Sequence, residues 1–140
     1  MTYTRSVTVD MPYEQAMERT RAALAGQGFG ILTEIHVNAT FAAKLGVEAA
    51  DKVGAYTILR ACNPGLASKA LAAEPQLGAL LPCNVVVRRG KDDGQTTVEA
   101  IDPQTMVQLS GSPQVREVGD DADVRLRAAL SAISNSAPGS

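Results

Sequence analysis

Val85-Val-Val-Arg-Arg-Gly-Lys-Asp-Asp-Gly-Gln-Thr-Thr-Val-Glu-Ala-Ile101 is the stretch on which the fold turns. Its three valines read as the most buried strand of the chain, Lys91-Asp-Asp-Gly94 as a hairpin turn, and Thr96–Ile101 as the returning strand. Strands joined by so short a turn pair antiparallel, because a parallel pair needs a crossover of a dozen residues or more.

Upstream, residues 3–9 alternate strictly. Tyr3, Arg5, Val7 and Val9 fall on one face and Thr4, Ser6 and Thr8 on the other, the pattern of a half-buried strand. Pro12 suits the first position of a helix that runs to a stop at Gly26, with Met17, Thr20 and Leu24 on its apolar face. Period two returns in residues 29–37, with Ile31, Thr33, Ile35 and Val37 facing one way and Leu32, Glu34 and His36 the other. Asn38 is placed to cap a short helix ending at Gly46; residues 47–54 read as a loop, and Ala55–Cys62 as a third strand. Asn63 and Pro64 read as cap and first residue of the next helix, which Pro75 interrupts before a further turn through Leu80.

Downstream, Asp102-Pro103 opens a short helix and Ser112-Pro113 a long one. The stripe Val115, Val118, Ala122, Leu126, Ala129, Ile133 faces the core of the long helix, with Gly119 as an interior weak point. The sum is an α+β fold: a two-layer α/β sandwich with about five strands in a mostly antiparallel sheet and helices mainly on one face. Residues 1–134 form a single domain and residues 135–140 are expected to be a disordered tail.

Composition narrows the function. The chain has 140 residues, 45% hydrophobic and 20% charged, which fits one globular domain and neither a disordered chain nor a coiled coil. Such a domain buries roughly 68–70% of its unfolded surface, so it needs no disulfide or structural metal. Thirteen basic against fifteen acidic side chains give a net charge of −2, which argues against a duplex nucleic-acid binder. Five aromatic residues and no Trp supply base stacking poorly. No apolar run approaches the ~20 residues of a membrane span, and the N-terminus opens as a strand rather than a signal peptide. The expected setting is cytoplasmic, with no nucleic-acid or membrane partner and no cofactor.

Two cysteines carry the sharpest local signal, in Ala61-Cys-Asn-Pro64 and Leu81-Pro-Cys-Asn84. Both sit at strand boundaries. Cys62 precedes a helix start, where free amides would stabilise a thiolate, whereas Cys83 leads into the valines. The plain reading makes both small buried hydrophobes. If residues 64–80 form one crossover helix, the flanking strands are parallel and the thiols lie about 20 Å apart at opposite sheet ends. If Pro75 folds the segment back, the thiols share an end. The sequence leaves both open, and the spacing is unlike Cys-x-x-Cys.

His36 shares a face with Glu34, an arrangement suited to a carboxylate-oriented base or, with the thiols and Met106, to a soft ion such as Cu(I) or to zinc. The plain alternative is a solvated strand-face histidine. Arg60 lies two residues before Cys62, beside the helix start at Asn63, and would suit an anion; otherwise it packs its stem on Tyr56. Gly26-Gln-Gly-Phe-Gly30 follows a helix and precedes a strand, the reverse of a dinucleotide loop.

Several of these pieces occur together in one known order: Gly28-Phe-Gly-Ile-Leu-Thr-Glu-Ile35, Ala39-Thr40, Lys44-Leu-Gly46, Ala61-Cys-Asn-Pro64, Glu74-Pro75, Leu80-Leu-Pro-Cys-Asn-Val85 and Asp102-Pro103. In this order, and with the final helix, the chain resembles the domain of unknown function 302 family over nearly its whole length. The resemblance implies a compact α/β sandwich, usually homodimeric, in bacterial and archaeal proteins whose role is not settled, and it carries no accepted mechanism. Glu34, Cys62, Asn63, Pro64, Pro82, Cys83 and Asn84 match the signature positions. His36 stands where an acidic residue is common, and Arg60 where a small one is. Gly119 loosens a helix that is elsewhere more regular.

The expected function is a homodimeric domain, without catalysis, that binds a small anionic or thiol-reactive ligand, or a partner. Its site residues are Glu34, His36, Arg60, Cys62, Asn63, Cys83 and Asn84. The alternatives are a redox or nucleophilic enzyme using Cys62 as catalytic thiolate, and a Cu/Zn-binding stress protein.

Overall fold

The turn at residues 91–94 joins two antiparallel strands, Cys83–Arg89 and Thr96–Ile101, as the sequence predicts. The computed structural model describes residues 3–135, so the expectation for the C-terminal tail falls almost wholly outside the described residues. Strands β1 (Thr4–Val9), β2 (Gly30–His36), β3 (Ala55–Cys62), β4 (Cys83–Arg89) and β5 (Thr96–Ile101) form one sheet in the order β1-β5-β4-β3-β2. Every neighbouring pair is antiparallel. Between them run α1 (Tyr13–Gly26), α2 (Val37–Leu45), α3 (Val47–Val53), α4 (Pro64–Ala73) and a 3-10 helix (Pro75–Leu80), and after β5 come α5 (Gln104–Leu109) and α6 (Pro113–Ser134). This is the α+β sandwich that the sequence predicts.

Side chains alternate across the strands as the pleat requires. Val7, Val98, Val87 and Thr57 form a row of cross-strand partners beneath the helices, and Leu59, Val85 and Ala100 form the next. Met17 and Leu24 of α1 and Leu126, Ala129 and Ile133 of α6 close over these rows. A second cluster, Leu66, Ala70, Leu77, Met106, Val115, Val118 and Ala122, lies among the helices alone. Thr4, Ser6 and Thr8 face away from the helices. Arg5 faces them and ties β1 to α6: its Nε donates to Asp123 Oδ1 at 2.7 Å and its Nη2 to Oδ2 at 3.2 Å. That pairing is how Asp123 can be 92% removed from solvent on the buried stripe of α6 (8% exposed).

Four local expectations are corrected. Tyr3 does not share the inward face of Arg5, Val7 and Val9; it precedes β1 and is 72% exposed. The pairing of β2 with β3 shifts between Ile31 and Thr33, so Leu32 is an extra residue in the ladder. Ile31, Glu34 and His36 therefore lie opposite Ala61, Leu59 and Thr57 on the helix side, while Thr33 and Ile35 turn away. Helix α2 begins at Val37 with His36 in the capping position, so Asn38 sits inside it. Residues 47–53 are helical rather than a loop: α3 has no side-chain cap and no buried residue, and it forms by packing on α2.

Gly119 is a closeness requirement rather than a weak point. A Cβ there would stand 2.5 Å from Val107 Cγ2 and 3.5 Å from the Pro103 carbonyl oxygen. The α5 segment thus lies directly against α6. On an exposed helix Gly→Ala stabilises by about 1 kcal/mol. Here the stiff Val107 side chain must move, and Gly119→Ala is expected to destabilise the fold by about 1–3 kcal/mol. Thermal unfolding checks this, and the added change Val107→Ala should recover part of the loss.

Candidate functional site

Residues 64–80 decide where the thiols lie. Asn63 Oδ1 accepts from the Leu66 N–H at 3.2 Å and Pro64 opens α4, as the cap chemistry predicts. Pro75 cannot continue that helix; it opens the 3-10 helix instead, and a cis Leu81–Pro82 bond leads into β4. The chain therefore returns to the sheet end it left, with β4 antiparallel to β3. Both cysteines are at that end and both are free. Ala61, rather than Cys62, is the cross-strand partner of Cys83, so the two thiols are offset by one residue and not directly opposed.

Between the sheet end and α4, α5 and α6 lies a cavity of about 30 Å³, bordered by Cys62, Cys83, Met106, Leu66, Val118 and Phe29 among others. It forms where the sheet-side core and the all-helix core meet without filling the gap. Asn63 is the polar side chain on its wall, and no acid, base or cation among the described residues borders it. Burial, reinforced by the nearby Cys62 charge, pushes the Cys83 thiol up to about 11. An activated thiolate needs a cation, a base or free amides beside the sulfur. The wall supplies neither of the first two, and the Leu66 amide is taken by Asn63.

The other expected residues are elsewhere. Glu34 and His36 lie three and five residues back along β3 from the Cys62 level, the latter about 17 Å away. The structure therefore does not bring His36 to the thiols, and the metal set of two Cys, His36 and Met106 does not assemble. Among the described residues no group of three His, Cys, Asp or Glu is placed to hold a metal. Arg60 pairs in register with Asn84 and is absent from the cavity wall. Arg60 and Cys62 alternate with buried Ala61 and so share the face of β3 opposite to it, as their spacing predicts.

Around Glu34 the structure assembles a polar network. Arg21 Nη1 donates to Glu34 Oε1 in a close ion pair, and His36 Nε2 is 3.5 Å from Glu34 Oε2. His36 Nδ1 lies 3.3 Å from Thr57 Oγ1, which in turn lies 2.5 Å from the Tyr13 hydroxyl. The Arg21 hydrogen bond holds the Glu34 carboxyl below the usual carboxylate range, and burial raises the Tyr13 phenol. Tyr13, Arg21 and Thr57 are absent from the sequence-based site. Their signal was weak: Thr57 alternates with Leu59 as a core residue does, and Tyr13 and Arg21 are ordinary helix positions.

Two outcomes follow from these environments. At pH 8, Cys83 should carry about 100-fold less thiolate than an unperturbed thiol, and iodoacetamide should label Cys62 first, with the Cys83 rate rising about tenfold per pH unit toward about 11. Peptide-resolved mass spectrometry reads both rates. Glu34 binds its proton more weakly folded than unfolded, so its contribution to stability is present above the ordinary carboxyl range and lost as pH falls through its depressed value. Glu34→Gln should therefore flatten the acid limb of the stability–pH curve below about pH 4.5.

Comparison with known proteins bears on the same residues. A model of the family described as "Domain of unknown function DUF302" matches residues 5–133. The crystal structure of an uncharacterized conserved DUF302 protein from Bacillus stearothermophilus is similar, with a TM-score of 0.83 and 26% identity, covering 95% of this chain and 99% of that one. No curated protein matches.

Proposed function

The chain belongs to the family of the domain of unknown function DUF302, and on that footing we propose that it is a homodimeric binding domain, without catalysis, whose ligand occupies the cavity at the Cys62/Cys83 end of the sheet. The observation that carries this reading is that Cys62, Cys83 and Met106 all border one unfilled apolar gap. Close packing is the norm in protein interiors, so a gap lined by polarisable sulfur is a place where something can be held.

Volume and polarity restrict the ligand. About 30 Å³ admits a group of one or two non-hydrogen atoms, well short of the roughly 300 Å³ at which pockets for organic ligands begin. A bare anion would lose its hydration against carbon walls with no cation to replace it. The thiol-reactive half of the expectation is thus favoured over the anionic half: a small, soft, weakly hydrated group that bonds sulfur. The absence of an acid or base on this wall speaks for binding over turnover.

Dimerisation is supported by the surface. Leu32, Ile35, Leu45 and Val47 are exposed along the β2 edge and the α2–α3 turn, and neither α2 nor α3 contains a buried residue. β2 is an edge strand without Lys or Pro but bulged at Leu32, so apolar side-chain contact rather than strand pairing is what a partner copy would use. A second copy covering this region would satisfy both features.

Methylmercury, a thiol-seeking probe of two heavy atoms, tests the site. Under reducing-agent-free conditions it should raise the unfolding temperature, and Ala122→Val, which fills the cavity from α6, should remove the rise. Ala70→Val, filling it from α4, guards against a local defect of either variant. A rise that persists in both variants, or no rise in the parent, refutes the site. Sedimentation should give twice the 14.6 kDa chain mass, and a species of one chain mass refutes the dimer.

A further inference from the structure

We propose that the face of the sheet turned away from the helices carries a second binding site, for a small carboxylate with a flat apolar body, its charged end held by the Arg60 guanidinium and the Asn84 amide. The site does not depend on the reading given for the sulfur-lined gap.

The pleat of two neighbouring strands brings these residues together. Arg60 stands between buried Leu59 and Ala61 in β3, and Asn84 between buried Cys83 and Val85 in β4, so both side chains project from the outer face. They are direct cross-strand partners, which sets their Cβ atoms about 5 Å apart, close enough for one carboxylate to accept from both. On the other side of Arg60, its partner in β2 is Thr33, so no acidic residue flanks it across either strand.

Charge complementarity selects an anion. Two arginines stand on this face. Arg88 donates through Nε to Glu99 Oε1 at 2.8 Å, whereas Arg60 has no hydrogen bond or ion pair with any described residue. Arg60 is half-buried, yet no buried side-chain nitrogen among the described residues lacks a partner, so its donors open to solvent and are not sealed against the sheet. A guanidinium presents five N–H groups in a planar fork that matches a carboxylate. The Asn84 side chain is exposed and also has no partner among the described residues, and its amide adds two donors.

Beside this pair runs a groove of about 320 Å³, bordered by Asn84, Val86, Glu99, Ile101, Tyr3 and Tyr56 among others. That is the size at which pockets for organic ligands begin. Asn84 belongs to both features, so a ligand whose carboxylate meets Arg60 and Asn84 can lay its remainder along Val86 and Ile101, between the two tyrosines. Aromatic rings favour a flat apolar body there. Glu99 limits the charge. It is the one charged side chain bordering the groove among the described residues, and Arg88 neutralises it, which leaves Arg60 alone to balance the ligand. A monoanion is matched, and a dianion such as phosphate is left with an uncompensated charge.

The test is titration of the full chain with sodium benzoate at pH 7, read by the Asn84 side-chain amide and the Tyr3 and Tyr56 ring signals in NMR. Benzamide supplies the ring without the charge, and acetate the charge without the ring. The expected result is a saturable shift with benzoate, and affinity about tenfold weaker for each comparison probe. Arg60→Gln should weaken benzoate about tenfold, and Tyr56→Ala should weaken benzoate while leaving acetate unchanged. If Arg60→Gln does not fold, Asn84→Ala removes donors from the same contact and should weaken benzoate about threefold, read by the tyrosine rings. No saturable shift with benzoate, benzamide or acetate binding as tightly as benzoate, or undiminished binding by Arg60→Gln or Asn84→Ala each overturns the proposal. Shielding of the Asn84 amide from a soluble paramagnetic agent in the ligand-free protein also overturns it, because a second copy then covers this face.

Discussion

The constraint on which the rest depends is the return of residues 64–80 to the sheet end they leave. A proline has no amide proton and clashes with the preceding turn, so α4 cannot run on through Pro75 and carry the chain the length of the sheet. The 3-10 helix that follows places Leu77 against Leu66, Ala70 and Met106 instead. That small all-helix core anchors the return, makes β3 and β4 antiparallel neighbours, and sets Cys62 and Cys83 at one edge of one gap. Had the segment been a single crossover helix, the thiols would have been separated by the length of a strand.

Much of this was legible in the sequence. The alternation of residues 4–9, the triple valine with its hairpin, and the Asn63 and Ser112 caps each rest on a local rule, and each is where the rule puts it. What failed was nonlocal or depended on a one-residue count. The extra residue at Leu32 reverses which side Glu34 shares with Ile31, and period two alone cannot reveal a bulge. Helix α3 lacks a capped start and a buried stripe, and its existence depends on α2. Gly119 reads as a flaw until Val107 is seen against it.

The site was legible only in part. The pairing of Glu34 with His36 and the placement of both cysteines at strand ends come from spacing and position. Their separation into two places does not, because it follows from register: His36 opposite Thr57, Cys62 five residues further along the same strand. The resulting regions are chemically opposite. One is a carbon-and-sulfur gap in which Cys83 is held protonated by burial. The other is an ionic cleft in which Arg21 keeps Glu34 ionised. A ligand suited to one is excluded by the other, since a hydrated ion cannot shed its water in the first and a soft neutral group gains nothing in the second.

The most direct measurement is an anomalous-difference map from crystals soaked in methylmercury. The account predicts the mercury peak inside the gap, within bonding reach of a Cys62 or Cys83 sulfur and in contact with Met106. A peak on the outer face of the sheet, bonded to Cys62 with the gap left empty, would contradict it.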